Sequence, residues 1–433
     1  MINPEGFGEL MLLPQAVKLY RNKYLHILRQ SFFTIMPFLL AVSTLDIVDK
    51  NIISPSGPVM SSQGLNLGFW LTGGLTGEAY RQNEFIKLLD SFQTIVKLGY
   101  GTVSVVITAE LANRLVELWK IPRTTTVVTT VIIFFMLSPL SYDENGTVWI
   151  FLSGRSFFSA FFSAFLGALL LRYFFGLKIL QFEKPNYYPQ TMATRITDFL
   201  PIMLTLSITL ILVLALIFLR PAIDSAMEVL STQTFFQSPF FALAFQFLVW
   251  SLWWIGIPGF NFTAMVHETA YPPQILANQL TNTAAVFTNG FFTASMVHIL
   301  GLIIAVLLFS RHDTWRKASM WGLPFMLFNV EELFVFGLPV VLNPIFVIPF
   351  LLAPLANTVV GWAAITWGIV PSFQIFIPPA LPLFVNGVLG THSIMGGVLQ
   401  TVWLTMDIFI YAPFVITANM FMLSDEAKGG DDE

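Results

Sequence analysis

Apolar segments of roughly 18 to 22 residues recur along this chain, each long enough to cross the hydrocarbon core of a bilayer as a helix. One globular core does not need so many of them. In lipid only helices or a closed barrel satisfy every backbone N–H and C=O, and the alternation of roughly ten-residue barrel strands is missing. The chain therefore reads as an all-α integral membrane protein whose first partner is the lipid bilayer. Composition agrees, with 55% of the 433 residues hydrophobic, 11% charged and 44 of them Phe, about half the charge of an ordinary soluble domain. A formal charge of −4 without a run of Lys and Arg argues against a nucleic-acid partner, which needs clustered positive charge. The absence of Cys removes disulfides and thiolate metal sites. There is no Gly-Lys-Ser/Thr phosphate loop and no His-Glu-x-x-His, so no cofactor and no metal are expected.

Lys18, Arg21, Lys23 and Arg29 make residues 1–31 a basic pre-membrane segment, which the positive-inside rule puts in the cytoplasm. These residues lack the apolar run and small-residue cleavage site of a signal peptide. Spans are expected at about 32–48, 89–112, 124–140, 149–172 and 200–219, with the acidic loop Asp143-Glu144-Asn145-Gly146 outside because it carries no Lys or Arg. Pro189 to Pro201 reads either as a short helix on the cytoplasmic surface or as a loop. A composition break follows at Arg220-Pro221. From 221 to 310 and from 318 to 427 there is no Lys or Arg, and Arg311, Arg316 and Lys317 are the basic residues between. Ordinary cytoplasmic loops would be positive. These stretches are therefore expected to hold re-entrant hairpins and broken helices, which lipid tolerates only where they are enclosed by protein. Two hairpin-like regions fall at about 268–297 and 368–395. A last span is expected at about 399–422, followed by a disordered acidic tail, 424–433.

The adjacent carboxylates Glu331 and Glu332 stand between apolar runs. Ionisable groups at membrane depth are costly and are functional candidates by default, although the same pair would also suit a helix N-terminus at the membrane edge. Trp250, Trp253 and Trp254 share a helical face and would suit either stacking on a pyranose ring or packing. His267, beside Glu268, and His392 read as binding candidates or as polar residues of the hairpins. Asn343, just before Pro344, reads as a helix cap.

Five segments together resemble the membrane-embedded enzyme IIC of bacterial phosphoenolpyruvate-dependent phosphotransferase systems, in its lactose, cellobiose and diacetylchitobiose branch. They are Phe32 to Pro37, Pro189 to Pro201, Trp253 to Asn261, Tyr411 to Phe414 and, the most specific, Phe328 to Pro344. The resemblance implies about ten transmembrane helices plus two re-entrant hairpins in a multi-pass protein of the bacterial inner membrane. Residues 32–220 would form a dimerisation half and 221–423 a substrate-binding half. It implies a homodimer that works with cytoplasmic enzyme IIB and IIA subunits on a disaccharide or similar glycoside, the phosphoryl group coming from the partner. The family glutamate falls on Glu332, where it would bind sugar hydroxyls near the atom to be phosphorylated. Glu331, Gly259, Asn261 and Trp254 join it as expected sugar contacts, with His267 and His392 as further candidates. Three departures stand out: Pro258 replaces a family histidine, Glu331 and Leu333 replace the Asn and Pro that flank the family glutamate, and Ile377-Pro378-Pro379 lacks a family tryptophan. They open a second reading, a degenerate IIC domain acting as a membrane sugar receptor or regulatory module, as the N-terminal part of a longer cyclic-di-GMP phosphodiesterase protein.

Overall fold

The computed structural model describes residues 22–429 apart from 56, 62–64, 139, 143–147, 151–155, 181–189, 233, 256, 258, 260–262, 264–265, 267–270, 282–284, 332–333, 336–337, 339, 342, 376 and 378–380. In chain order these form α1 (Lys23–Val48), the short α2 (Leu67–Leu71) and α3 (Gly77–Gln82), α4 (Glu84–Trp119), α5 (Arg123–Leu137), β1 (Leu140–Tyr142), β2 (Val148–Ile150), α6 (Ser156–Gly176) and α7 (Gln190–Thr232). After them come α8 (Pro239–Trp254), α9 (Pro272–Thr281), α10 (Asn289–Ser295), α11 (Val297–Phe309), α12 (Asp313–Met326), α13 (Pro344–Thr366), α14 (Val385–Thr391) and α15 (Ile394–Gly429). Apart from the antiparallel pair β1–β2, the regular structure among the described residues is helical. Among the described residues six helical stretches are long and apolar enough to cross a membrane: Lys23–Ile53, Phe158–Gly176, Thr197–Ala222, Asn289–Phe309, Ile345–Thr366 and Ile394–Asn419.

Several boundaries differ from the sequence reading. Of the stretch read as Pro189 to Pro201, Pro189 lies outside the described residues, and Gln190 to Pro201 is neither a separate surface helix nor a loop, since α7 runs unbroken from Gln190 through Pro201 and Pro221. A proline inside a helix removes one N–H, and flanking apolar turns that are already helical carry the chain past it. The span expected from 149 begins instead at Ser156. Ahead of it Val148, Trp149 and Ile150, of high strand propensity, pair with Leu140 to Tyr142. α15 continues to Gly429, into the acidic stretch expected to lack structure. Extending an existing helix avoids the cost of nucleating one, and Ala427 and Lys428 are good helix formers.

Contacts divide the chain into two compact units. The first comprises His26–Leu39 and Lys97–Ala226; the second comprises Met1–Leu25, Leu40–Val96 and Met227–Glu433. In the first, α5 and α6 pack on each other through small and β-branched residues, as membrane helices do without a hydrophobic drive between them. Thr126, Thr130, Ile133, Ala164 and Ala168 are buried there, and a Cβ on Gly167 would come within 2.7 Å of Thr130 Cγ2 and 2.8 Å of Ile133 Cδ1. Thr125 donates to Asp198 across to α7 (2.8 Å), and Arg114 of α4 donates to Gln30 of α1 (3.0 Å). Only 11% of the apolar window of α7 is buried, so its Phe, Ile and Leu side chains form an outward apolar surface suited to lipid.

The second unit is built around α11, α13 and α15. Asn289–Phe309 is 83% buried over its apolar window, the opposite of α7, so α10 and α11 are enclosed by protein. Close approach is arranged by glycine. A Cβ on Gly301 of α11 would lie 2.5 Å from the Asp407 Cβ of α15, and one on Gly361 of α13 would collide with Trp403. Both interrupted segments lie here. Met296 turns the chain between α10 and α11, while His392, in a left-handed conformation (φ 50°), and Ser393 separate α14 from α15.

The α5–α6 seam gives a direct test. Gly167→Leu should destabilise the protein by about 1–3 kcal/mol through overpacking, read as a lowered thermal midpoint in detergent size-exclusion assays. An unchanged midpoint would mean that the two helices are not in close contact.

Candidate functional site

The acidic block begins on a strained turn. Asn329 has φ 57°, a left-handed conformation that Asn tolerates better than most residues, and its side chain donates to the Leu381 carbonyl (3.2 Å). The Leu383 N–H donates in turn to the Leu327 carbonyl (2.7 Å), so residues 327–329 are hydrogen-bonded to the second hairpin-like region. Glu331 follows, only 3% exposed, with its carbonyl accepting from the N–H groups of Phe334 and Val335. At the far end of the block Asn343 caps α13, its side chain accepting from the Ile345 N–H (2.9 Å) ahead of Pro344. The Asn343 carbonyl accepts from Trp254 Nε1 (3.1 Å). The block is thus tied at one end to 381–383 and at the other to the end of α8.

The three tryptophans pack within this unit. Trp250 and Trp253 are fully buried and Trp254 is 9% exposed. Trp250 donates to Gln246 (3.2 Å) and stands edge-on to His298, with ring centroids 4.0 Å apart. Gly259 sits so near α8 that a Cβ there would collide with the Val249 carbonyl, and its own carbonyl accepts from both the N–H and the hydroxyl of Thr263 (2.9 Å each). His392 is exposed at the end of α14. Glu332, Asn261, His267 and Pro258 lie outside the described residues.

The hairpin-like regions are joined to each other by side-chain amides. Asn278 accepts from the Ala285 N–H and donates to the carbonyls of Ala285 and Phe373 (2.8, 2.9 and 2.9 Å). Gln279 donates to the Gln374 carbonyl (2.6 Å), and Asn289 accepts from the Ile377 N–H (3.1 Å). Each bond satisfies backbone that no regular helix provides for, and such satisfaction is obligatory where water is excluded. Asn386 differs: it is fully buried, yet neither amide atom has a hydrogen-bond partner among the described residues. A buried amide of that kind offers both a donor and an acceptor to a polyhydroxylated ligand.

Sequence reasoning missed a polar cluster around Asp407, which is fully buried in α15 and accepts from Asn357 of α13 (3.0 Å). A signal was present, because Asp407 is the one acidic residue between Glu332 and Asp425 and lies within an apolar span.

Comparison with known proteins agrees with this architecture. The sequence profile of the phosphotransferase system, EIIC, matches residues 17–354. The oligo-beta-mannoside-specific EIIC component of Bacillus subtilis (strain 168) is 25% identical over 96% of this chain and 94% of its own. The cellobiose-specific EIIC component of Lactococcus lactis subsp. lactis (strain IL1403) is 35% identical over 27% of this chain and 24% of its own. The lactose-specific EIICB component of Staphylococcus haemolyticus (strain JCSC1435) is 24% identical over 95% of this chain and 70% of its own. In three dimensions the chain resembles the crystal structure of the transporter ChbC, the IIC component from the N,N'-diacetylchitobiose-specific phosphotransferase system. That likeness has a TM-score of 0.52 and 20% identity, covering 97% of this chain and 99% of the other. None of these matches gives specific support to a signalling receptor. A multi-pass helical protein with this profile over most of its length, and with this fold, belongs to the EIIC family of phosphotransferase-system sugar permeases.

Proposed function

We propose that this permease binds a disaccharide-like glycoside in its C-terminal unit, moves it across the bacterial inner membrane and presents it to cytoplasmic IIB and IIA subunits for phosphorylation. The carrying observation is the profile match over residues 17–354, which takes in the whole acidic block 328–344. Oligo-beta-mannoside, cellobiose and lactose, named for the relatives, are all glycosides of two or more rings, which favours a substrate of that size. The protein works as a homodimer through residues 32–220 with its N-terminus in the cytoplasm, a reading supported by Lys18, Arg21, Lys23 and Arg29 ahead of the first span.

Glu332 is the hydroxyl-binding carboxylate, with Glu331 beside it. A carboxylate accepts hydroxyl hydrogen bonds strongly. It also suits the chemistry, since the sugar oxygen forms its bond to phosphorus as the bond to the donor subunit breaks, and the hydroxyl proton needs an acceptor. Asn261, His267, His392 and Asn386 are further hydroxyl partners. Trp254, at the end of α8, and Gly259, packed against α8, shape the site through the bond to Asn343 and the close approach to Val249.

Vesicles containing the wild type and a full set of phosphoryl-donor proteins should convert external disaccharide into internal sugar phosphate. Binding without sugar phosphate would overturn the permease reading in favour of a receptor. In that event Pro258→His, which restores the imidazole of the family pattern, should recover phosphorylation. Glu332→Gln should weaken sugar binding by about 1–3 kcal/mol, as expected for a hydrogen bond to a charged group, while Leu333→Ala has a smaller effect. Equal affinities of wild type and Glu332→Gln in calorimetry would remove that residue from the site. Cysteine cross-linking should capture dimers through residues 32–220. Capture only through residues beyond 221 would overturn that assignment.

A further inference from the structure

α10 is a single short helix, Asn289–Ser295, with every residue buried, and the last four carbonyls of any helix lack partners within it. Here each one can be followed. The Phe292 carbonyl accepts from Ser295 Oγ (2.8 Å) and the Thr293 carbonyl from the Met296 N–H (3.3 Å). The other two are met from outside: the Ala294 carbonyl by Gln400 Nε2 of α15 (2.9 Å), and the Ser295 carbonyl by Asn357 Nδ2 of α13 (3.4 Å), with His298 Nδ1 of α11 also 3.4 Å from the latter. Asn357 Nδ2 also donates to Asp407 Oδ2 (3.0 Å). Asp407 thereby settles which way the Asn357 amide faces, because the reverse orientation would set an oxygen against two acceptors. Gly301 leaves room for this, since a Cβ there would lie 2.5 Å from the Asp407 Cβ. At its other end, α10 holds the second hairpin-like region through Asn289 and the Ile377 N–H.

We propose that Gln400, Asn357 and Asp407 are positioning residues that cap α10 in trans and thereby set the geometry of the two sugar-enclosing hairpins. The sugar-binding part rests on the function proposed above; the placement of α10 does not. Two adjacent helices hold the end of α10 by side chains, so loss of Gln400 leaves the Ala294 carbonyl without its partner in a water-poor interior and loss of Asn357 leaves the Ser295 carbonyl to His298 Nδ1 alone; in either case α10 loosens.

The chain has no Cys, so a single reporter thiol can follow α10 without any sugar. Thr293 is fully buried and its hydroxyl has no hydrogen-bond partner among the described residues, which makes Thr293→Cys a mild substitution. In membrane vesicles, labelling of that thiol by a membrane-permeant maleimide should be slow. Adding Asn357→Leu should speed it about tenfold and weaken disaccharide binding about tenfold, the worth of one hydrogen bond. Asp407→Leu should match Asn357→Leu, and the double variant should be no worse than either, because the two act through one bond. Asp407→Asn, which keeps an acceptor for the Asn357 amide, should stay within about twofold of the parent. If Asn357→Leu does not elute as a folded protein in detergent, Gln400→Leu carries the same expectations. Unchanged labelling in the folded variants, or effects of Asn357→Leu and Asp407→Leu that simply add, would overturn the proposal. Should the wild type bind no disaccharide, the proposed function fails while the labelling result still decides whether the cap positions α10.

Discussion

Every backbone N–H and C=O at membrane depth must find a partner within the protein, and the second unit meets this demand mainly with uncharged side chains. Where α10, α13 and α14 begin or end in the interior, the ladder of an uninterrupted helix is unavailable. Asn278, Asn289, Asn329, Asn343, Asn357 and Gln400 supply the missing partners. An amide carries both a donor and an acceptor without the desolvation cost of a charge. That explains how two long stretches without Lys or Arg can hold so much irregular backbone.

The two units answer the same solvent in different ways. In the first, long helices satisfy themselves, and contacts between them rest on small residues such as Gly167 and the buried threonines of α5. In the second, Phe291 and Phe292 of α10 pack against the rings of Phe287, Tyr271 and Trp403. Buried amides then position what the aromatics enclose. Rigidity at the hairpins therefore comes from directional bonds as well as from packing, which suits the sugar-binding role proposed for this unit.

Much of this was legible in the residues. The apolar lengths announced helices in lipid, the loss of Lys and Arg after Arg220 announced broken segments, and Asn343-Pro344 announced a capped helix. Less legible were features that depend on tertiary partners. Pro201 and Pro221 looked like boundaries, but α7 passes through both, because local proline signals yield to long apolar turns on either side. Trp250 and Trp254 fitted stacking or packing equally well by spacing, and only the positions of Gln246, His298 and the Asn343 carbonyl reveal their surroundings. The trans cap of α10 could not be read from the chain, because Ala294 and Gln400 are far apart in sequence and neither belongs to a motif.

The same bonding pattern explains how the acidic block tolerates its departures from the family pattern. Its ends are held by Asn329 to the Leu381 carbonyl, by the Leu383 N–H to the Leu327 carbonyl and by Trp254 to the Asn343 carbonyl. None of these bonds uses a side chain at 331, 332 or 333. The residues that carry them, Asn329, Trp254 and Asn343, lie outside 331–333, where Glu331 and Leu333 depart from the pattern that the resemblance implies. A frame anchored this way can exchange the side chains it presents without losing its course, since removing a presented side chain leaves no scaffold atom unpaired. Side chains at 331–333 can then change while the bonds that tie the block to α8, α13 and the second hairpin-like region stay in place.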